Sequence, residues 1–455
     1  MTVAVQTRAS ALLMAAACAT GVAMTPAFQS GVRALMAEVS LVAGEGFIMG
    51  GTGNPMPDSG YIDAVKQLYL QPQTPLFPGQ PTFDGYGYQG LPTPEQFCPI
   101  ICNPTEAPLT FGDSVNAGVT ALDGAPTDAL AHGPVSVLGY SQSATVATVW
   151  MNQLLDPNNP NPNLDNLHVT LLGDPNSAIG GILDRFQFAD GQHVPFLNIP
   201  LDLAPTPTSG IDTDVYTAEY DGYANFPLDP SNISADINAL IGIETVHPYY
   251  PDPDPLVNLD TTNIIDLGTI GDTNFYAIPA PLPTLAFLYD GGQAGRFFYD
   301  SFSPYATLTN NWAYGNPGDP FVGVNGTDAI GPWQVDATGQ LVESGVAGFI
   351  PRMDPLQMLA GMEYAGVQSF IDPINDLLKD AGQPALPTSF VDSLLAGYDY
   401  TNQLDVALLA ELTTLSASIP SLAPDVLFDG SPMISAQPLI DLVGYGFDLF
   451  NSFGA

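Results

Sequence analysis

The segment 135–144, VSVLGYSQSA, constrains the fold of this chain more than any other stretch. An apolar, β-branched run ends in Gly139-Tyr140-Ser141-Gln142-Ser143, and small and apolar residues follow as far as 155. Strand, sharp turn and helix in that order are the layout of a nucleophile elbow. The turn is tight only if the residues flanking the serine are small, and Gly139 and Ser143 stand two positions either side of Ser141. Such a turn lifts the Ser141 hydroxyl out of the sheet. It also leaves the backbone N–H of Gln142 facing the place where charge would develop on a carbonyl oxygen. A lone Gly-x-Ser-x-Ser arises by chance, so the strand before it and the helix after it carry the reading. The bland alternative is an ordinary strand-to-helix turn.

The rest of the chain supplies a scaffold for such a turn. Residues 47–49 (FIM) read as a first core strand opening into Gly50-Gly51-Thr52-Gly53. A phosphate-binding loop would end in lysine, but the next lysine is Lys66. A loop that brings the N–H groups of Gly51 and Thr52 to a reacting carbonyl suits the serine better. Helical spacing covers 61–69 and 114–122, with a loop region rich in proline, glycine and aromatics over 70–110. Residues 168–172 and 215–220 read as strands and 233–241 as a helix. Strands separated by helices predict a mostly parallel sheet with helices on both faces.

From about residue 265 the pattern changes. Residues 275–288 are apolar and broken by proline, and 289–336 are rich in glycine and aromatics. From Pro355 onward the spacing is helical, with Met358, Leu359 and Met362 on one stripe and Ile374, Leu377 and Leu378 on the next. Pro373 between them predicts two shorter helices. Residues 404–415 and 439–450 are further helices, and the whole region reads as a mostly helical lid, cap or packing extension.

Composition removes several function classes. Seven Lys and Arg stand against 47 Asp and Glu, a formal charge of −40, so a nucleic-acid partner is excluded for want of a basic face. Attraction to anionic lipid heads is excluded on the same ground, whereas neutral esters and sugars are not opposed. Arg8, the apolar stretch 12–24 and Thr25-Pro26-Ala27 read as a signal peptide over residues 1–27. That stretch is short against the roughly 20 residues of a spanning helix, with an uncleaved anchor as the alternative. The expected location is therefore secreted or cell envelope, with membrane or cell-wall association. Past the signal only Cys98 and Cys102 remain, a pair that in an exported chain favours a disulfide over a two-cysteine metal site. No metal or organic cofactor is indicated.

Serine is a poor nucleophile at neutral pH and needs an imidazole base oriented by a carboxylate. Four histidines narrow the search. His132 precedes the serine, His168 starts a strand, and His193 sits in a Gly/Gln/Pro loop. His247 follows the strand that ends near Tyr220, as the order serine, acid, histidine requires. The acid should leave a late strand, and Asp221 does so; Asp174, Asp212 and Asp229 are the alternatives.

Several of these pieces form an ordered set: FIMGGTGNP at 47–55, TPEQF at 93–97, GYSQSAT at 139–145, DPNSAIGGIL at 174–183, YDGYANFP at 220–227 and DINALIGIETVH at 236–247. Over about residues 43–290 the chain resembles the PE-PPE domain, a serine-hydrolase family, and its GYSQ core is similar to that of cutinases. The resemblance implies an α/β-hydrolase-type fold with the C-terminal region 291–455 appended. It also implies a cell-envelope esterase, lipase or acyltransferase using Ser141, His247 and Asp221 on acyl esters or glycolipids, trehalose glycolipids among them. Members often carry a second aspartate four positions after the first, where this chain has Asn225. An amide cannot stabilise an imidazolium by charge. A signal-like segment stands where a PE or PPE helical module is expected, and the cysteine pair is outside the family pattern. The alternative reading is a non-catalytic envelope protein that keeps the fold and binds lipid or a protein partner. Sugar binding by the aromatic segment 289–333 is a third.

Overall fold

Seven runs of residues pair into one sheet: β1 (Gly44–Ile48), β2 (Tyr86–Gly90), β3 (Val135–Tyr140), β4 (Leu167–Leu172), β7 (Asp212–Ala218), β8 (Ile265–Ile270) and β9 (Thr273–Ile278). Two short ribbons lie outside it, β5 (His193–Val194) with β6 (Ile199–Pro200), and β10 (Gly348–Pro351) with β11 (Pro432–Ser435). The order in the sheet is β2-β1-β3-β4-β7-β9-β8, with every pairing parallel except the β8–β9 hairpin. The computed structural model describes residues 44–159, 164–254, 258–315, 333, 340–343 and 345–453. The signal-peptide expectation for 1–27 lies outside the described residues.

The helices are α1 (Ser59–Val65), α2 (Phe111–Leu122), α3 (Ala125–Leu130), α4 (Gln142–Leu154), α5 (Ile182–Arg185), α6 (Ile233–Thr245), α7 (Gly292–Trp312), α8 (Pro355–Asp380), α9 (Thr388–Ser416), α10 (Pro424–Leu427) and α11 (Gln437–Phe453). A π turn, Lys66–Leu70, continues α1. Side-chain oxygens begin several of them: Asp58 accepts from the Tyr61 N–H, Asn232 from that of Ala235, and Asp354 from that of Leu356.

Side chains alternate across a strand, so each central strand feeds two cores. Phe47, Val137, Val169, Val215 and Phe275 face one side and pack under α2, α3 and α4. Ile48, Leu138, Leu172, Tyr216 and Tyr276 face the other, against Val65, Tyr69 and Leu70 and the turn holding Val246 and Tyr250. Trp150 of α4 is fully buried in the first core. This is the mostly parallel sheet, covered on both faces, that the apolar runs predict.

Two expectations are corrected. The stretch 70–110 is not all loop: YGYQG at 86–90 forms β2 and extends the sheet beside β1. Pro373 does not split the helical stretch that starts at Pro355 in two, because α8 runs through it unbroken. The proline removes one backbone N–H and crowds the preceding turn. It is buried, and α8 packs along α7 and α9 around Leu308, Ala360, Tyr364 and Tyr398. Tertiary packing thus outweighs one missing hydrogen bond. Residues 316–332 and 334–336 of the aromatic segment lie outside the described residues.

Candidate active site

Ser141 is the residue on which β3 turns into α4, and it adopts φ 59°, ψ −120°. A side chain in that region costs about 1–3 kcal/mol and persists only where its surroundings enforce it. Here they do. The Ser141 N–H donates to the Leu172 carbonyl at 3.0 Å. The Ser143 hydroxyl accepts from the Tyr140 N–H at 2.8 Å. Gly139 has no Cβ because one would sit 2.6 Å from the Ser143 carbonyl oxygen.

The imidazole arrives from the other end of the fold. His247 opens a single 3-10 turn directly after α6. Its Nε2 lies 2.7 Å from Ser141 Oγ and its Nδ1 2.7 Å from Asp221 Oδ2. The ring stacks on Tyr140, at 5.3 Å between centroids, and meets Tyr223 edge-on at 4.8 Å. The Tyr140 hydroxyl donates to the His247 carbonyl at 2.8 Å. Gly173, at φ 56°, makes room for the base: a Cβ there would come within 2.9 Å of His247 Cε1 and 3.1 Å of Asp221 Oδ2.

Asp221 is fully buried just past β7, behind Tyr220 at φ 60°. Its Oδ1 accepts from the Tyr223 N–H at 3.0 Å and the Ala224 N–H at 3.4 Å. Its Oδ2 accepts from the Tyr250 hydroxyl at 2.9 Å and faces His247 Nδ1. An acceptor-only carboxylate at Nδ1 keeps the imidazole proton on that side and leaves Nε2 as the acceptor toward Ser141. Burial, with Asp221 beside it, pushes the Tyr250 phenol well above its ordinary range, so it stays a donor. Tyr250 also accepts from the Ala218 N–H at 2.7 Å. Neither periodicity nor motif spacing singles out Tyr250; its position three residues after the histidine was the available signal.

The residues expected on the oxyanion side, Gln142, Gly51 and Thr52, lie next to Ser141. Gln142 is the first residue of α4, where an N–H has no partner within the helix. Its side chain is held away, accepting from the Ser114 hydroxyl at 2.8 Å and donating to the Gln96 carbonyl at 2.9 Å. The loop after β1 passes over the serine: a Cβ on Gly51 would lie 3.1 Å from Ser141 Cβ, and Thr52 borders the same pocket as Ser141. This loop is tied down by the Gly53 N–H donating to the Glu95 carbonyl at 2.8 Å. Glu95 itself is buried at φ 46°, and burial pushes its carboxyl up to about 8. The Cys98–Cys102 disulfide, with Cα atoms 5.0 Å apart, follows this segment.

The other sequence candidates lie elsewhere. Asp174 is turned to the Thr206 hydroxyl, at 2.5 Å, and the Asn176 N–H. Asp229 accepts from Ser231, and Asp212 is exposed at the start of β7. His132 Nδ1 lies 2.7 Å from the Asp128 carbonyl, His168 Nε2 lies 3.0 Å from Asp214, and His193 sits on the short ribbon β5–β6. Asn225 is buried with its amide oxygen against Gly180, a position that the Arg185 guanidinium also borders. Among the described residues no group of three His, Cys, Asp or Glu side chains could hold a metal ion.

Beside Ser141 and His247 opens a pocket of about 490 Å³. Ile101, Phe111, Leu183, Phe188, Val194 and Phe447 are among its walls. An apolar cleft with a few convergent polar groups is the usual form of a site for a small or lipid-like molecule.

The parallel sheet, the elbow on β3 and the histidine after the last crossover helix define an α/β-hydrolase fold. The chain belongs to the PE-PPE domain family, which matches residues 84–314, just over half of its length. Three relatives come from Mycobacterium tuberculosis. The chain is 40% identical over 205 residues to a protein named Esterase PE16, covering 45% of this chain and 36% of that one. It is 35% identical over 236 residues to PE family protein PE3, covering 50% and 46%. It is 33% identical over 144 residues to a protein named Diacyltrehalose acyltransferase Chp2, covering 30% and 38%. The chain thus spans less than half the length of each of these relatives.

Proposed function

We propose that the chain is a serine esterase or acyltransferase acting on acyl esters of neutral lipids or glycolipids. The observation that carries this is the continuous hydrogen-bonded line Asp221–His247–Ser141, 2.7 Å at each step, ending at an apolar pocket. His247 Nε2 takes the Ser141 proton as Oγ attacks the ester carbonyl, and Asp221 holds the resulting imidazolium. The oxyanion is met by the N–H of Gln142 and those of Gly51 and Thr52. Collapse expels the alcohol, which takes the proton from His247, and leaves the acyl group on Ser141. Water or an acceptor hydroxyl, deprotonated by His247, then takes the acyl group and frees the serine.

Relatives named as an esterase and as acyltransferases support both outcomes; the same residues serve each, and the acceptor decides. An exported site of action belongs to the proposal, because a Cys98–Cys102 disulfide persists in an oxidising compartment. Hydrolysis of p-nitrophenyl butyrate by purified protein tests the reading, with and without a trehalose ester as acceptor. Wild type is expected to turn over and Ser141→Ala to lose roughly 10⁶-fold in kcat. New acylated product with the acceptor present would assign transfer. Equal rates in wild type and Ser141→Ala would refute the proposal.

A further inference from the structure

One wall of the pocket comes from a helix that lies beyond the family-matched residues 84–314. Ile440, Gly444, Phe447 and Asn451 follow one face of α11 and are buried or half-buried, and Asp448 lies exposed at its edge. Ile440 and Gly444 are buried against the body of the protein, and Phe447 borders the cavity that Ser141 and His247 share. The Phe447 ring stacks on Phe188, a second wall residue, at 6.2 Å and 28°.

Polar contacts seat the helix from end to end. Gln437 Nε2 donates to the Gln187 carbonyl at 2.7 Å, Gln192 Nε2 to Asp448 Oδ2 at 3.0 Å, and Asn451 Nδ2 to the His193 carbonyl at 3.1 Å. Gly444 lies directly against the Gln192 amide, with 2.2 Å between the place of a Cβ and Gln192 Oε1. A helix needed only to cover the sheet would not require a ring aimed into the cavity beside the nucleophile.

We propose that α11 is a wall of the acyl-binding pocket and that Phe447 sets the length of chain it accepts, which makes esters of extended alkyl chains the substrate class. The inference rests on the esterase reading and deepens it. An alkyl chain lying against Phe447 loses contact or meets a clash when that side chain changes size. A hydrophobic pocket discriminates by about tenfold or more per methylene gained or lost.

The test uses the full chain and p-nitrophenyl esters from acetyl to palmitoyl, with Phe447→Ala, Phe447→Leu and Phe447→Trp beside wild type. Labelling of each protein by a fluorophosphonate, and its thermal melt, are read in parallel. Phe447→Ala is expected to raise the ratio of kcat/KM for palmitoyl over butyryl by about tenfold. Phe447→Leu should do so less, and Phe447→Trp should move the ratio the other way. If folded, labelled variants keep the wild-type chain-length profile and differ only in melting temperature, α11 is packing and the inference fails. If folded wild type takes neither label nor ester, the esterase reading fails and this inference falls with it.

Discussion

Among single residues, the carboxyl that serves His247 matters most. Asp221 offers one oxygen to Nδ1 and fills the other with two backbone N–H groups, so its orientation is fixed before any substrate arrives. Asp221→Asn is expected to lower kcat by roughly 10⁴, since the amide no longer selects the right tautomer or opposes the imidazolium charge. Adding Asn225→Asp should not restore it, because position 225 faces Gly180 and not the imidazole; recovery of activity in the double variant would show the assignment to be wrong. Gly173 gives an independent check. Gly173→Ala places a methyl at φ 56° within 2.9 Å of His247 Cε1. A folded protein with activity reduced by two or more orders of magnitude is expected, from a base displaced by a fraction of an ångström. Ser141, His247 and Asp221, which the structure brings into one hydrogen-bonded line, were candidates from order and spacing along the chain. Tyr250, Tyr140 and Gly173 could not, because their roles exist only once β4, β7 and the turn after α6 are brought together.

Among the elements, the central strands were legible because burial on both faces writes itself as continuous apolar runs. β2 was not, since its Tyr-Gly-Tyr-Gln-Gly pattern lies half-exposed at the sheet edge and carries little of that signal. The helix α8 was misread for a different reason: Pro373 counts against a helix locally, and only packing between long helices overrides it. These helices also bring carboxyls together. Asp300 of α7 faces Asp372 and Asp376 of α8 with Arg296 nearby, and Asp405 of α9 faces Asp354 at the start of α8. Burial first, then the neighbouring carboxyls, push Asp300 up to about 6 and Asp372 and Asp405 up to about 7. The folded chain therefore holds protons that the unfolded chain has released. The contribution of these groups is complete below the ordinary carboxylate range and is lost as pH rises through about 6 to 7. Melting temperature is expected to fall between pH 5 and pH 8, and Asp372→Asn with Asp405→Asn should flatten the fall. A melting temperature that rises over that interval would contradict this.

Across the whole molecule, one charge sign dominates, and four of the described cations are already engaged. Lys66, Arg296 and Arg352 pair with Asp63, Asp380 and Asp429, and Arg185 is buried with its guanidinium on the Phe226 and Gly345 carbonyls. On the proposed function, recognition of substrate comes from shape and apolar contact at the pocket, where the serine line ends, and not from attraction of an anion. Covalent labelling of the folded wild-type chain by a fluorophosphonate, read by mass spectrometry of its peptides, probes that line at its reactive end. A single adduct is expected on the peptide containing Ser141, abolished in Ser141→Ala and slowed in Asp221→Asn. A folded wild-type protein that takes no label, or takes it on another residue, would contradict it.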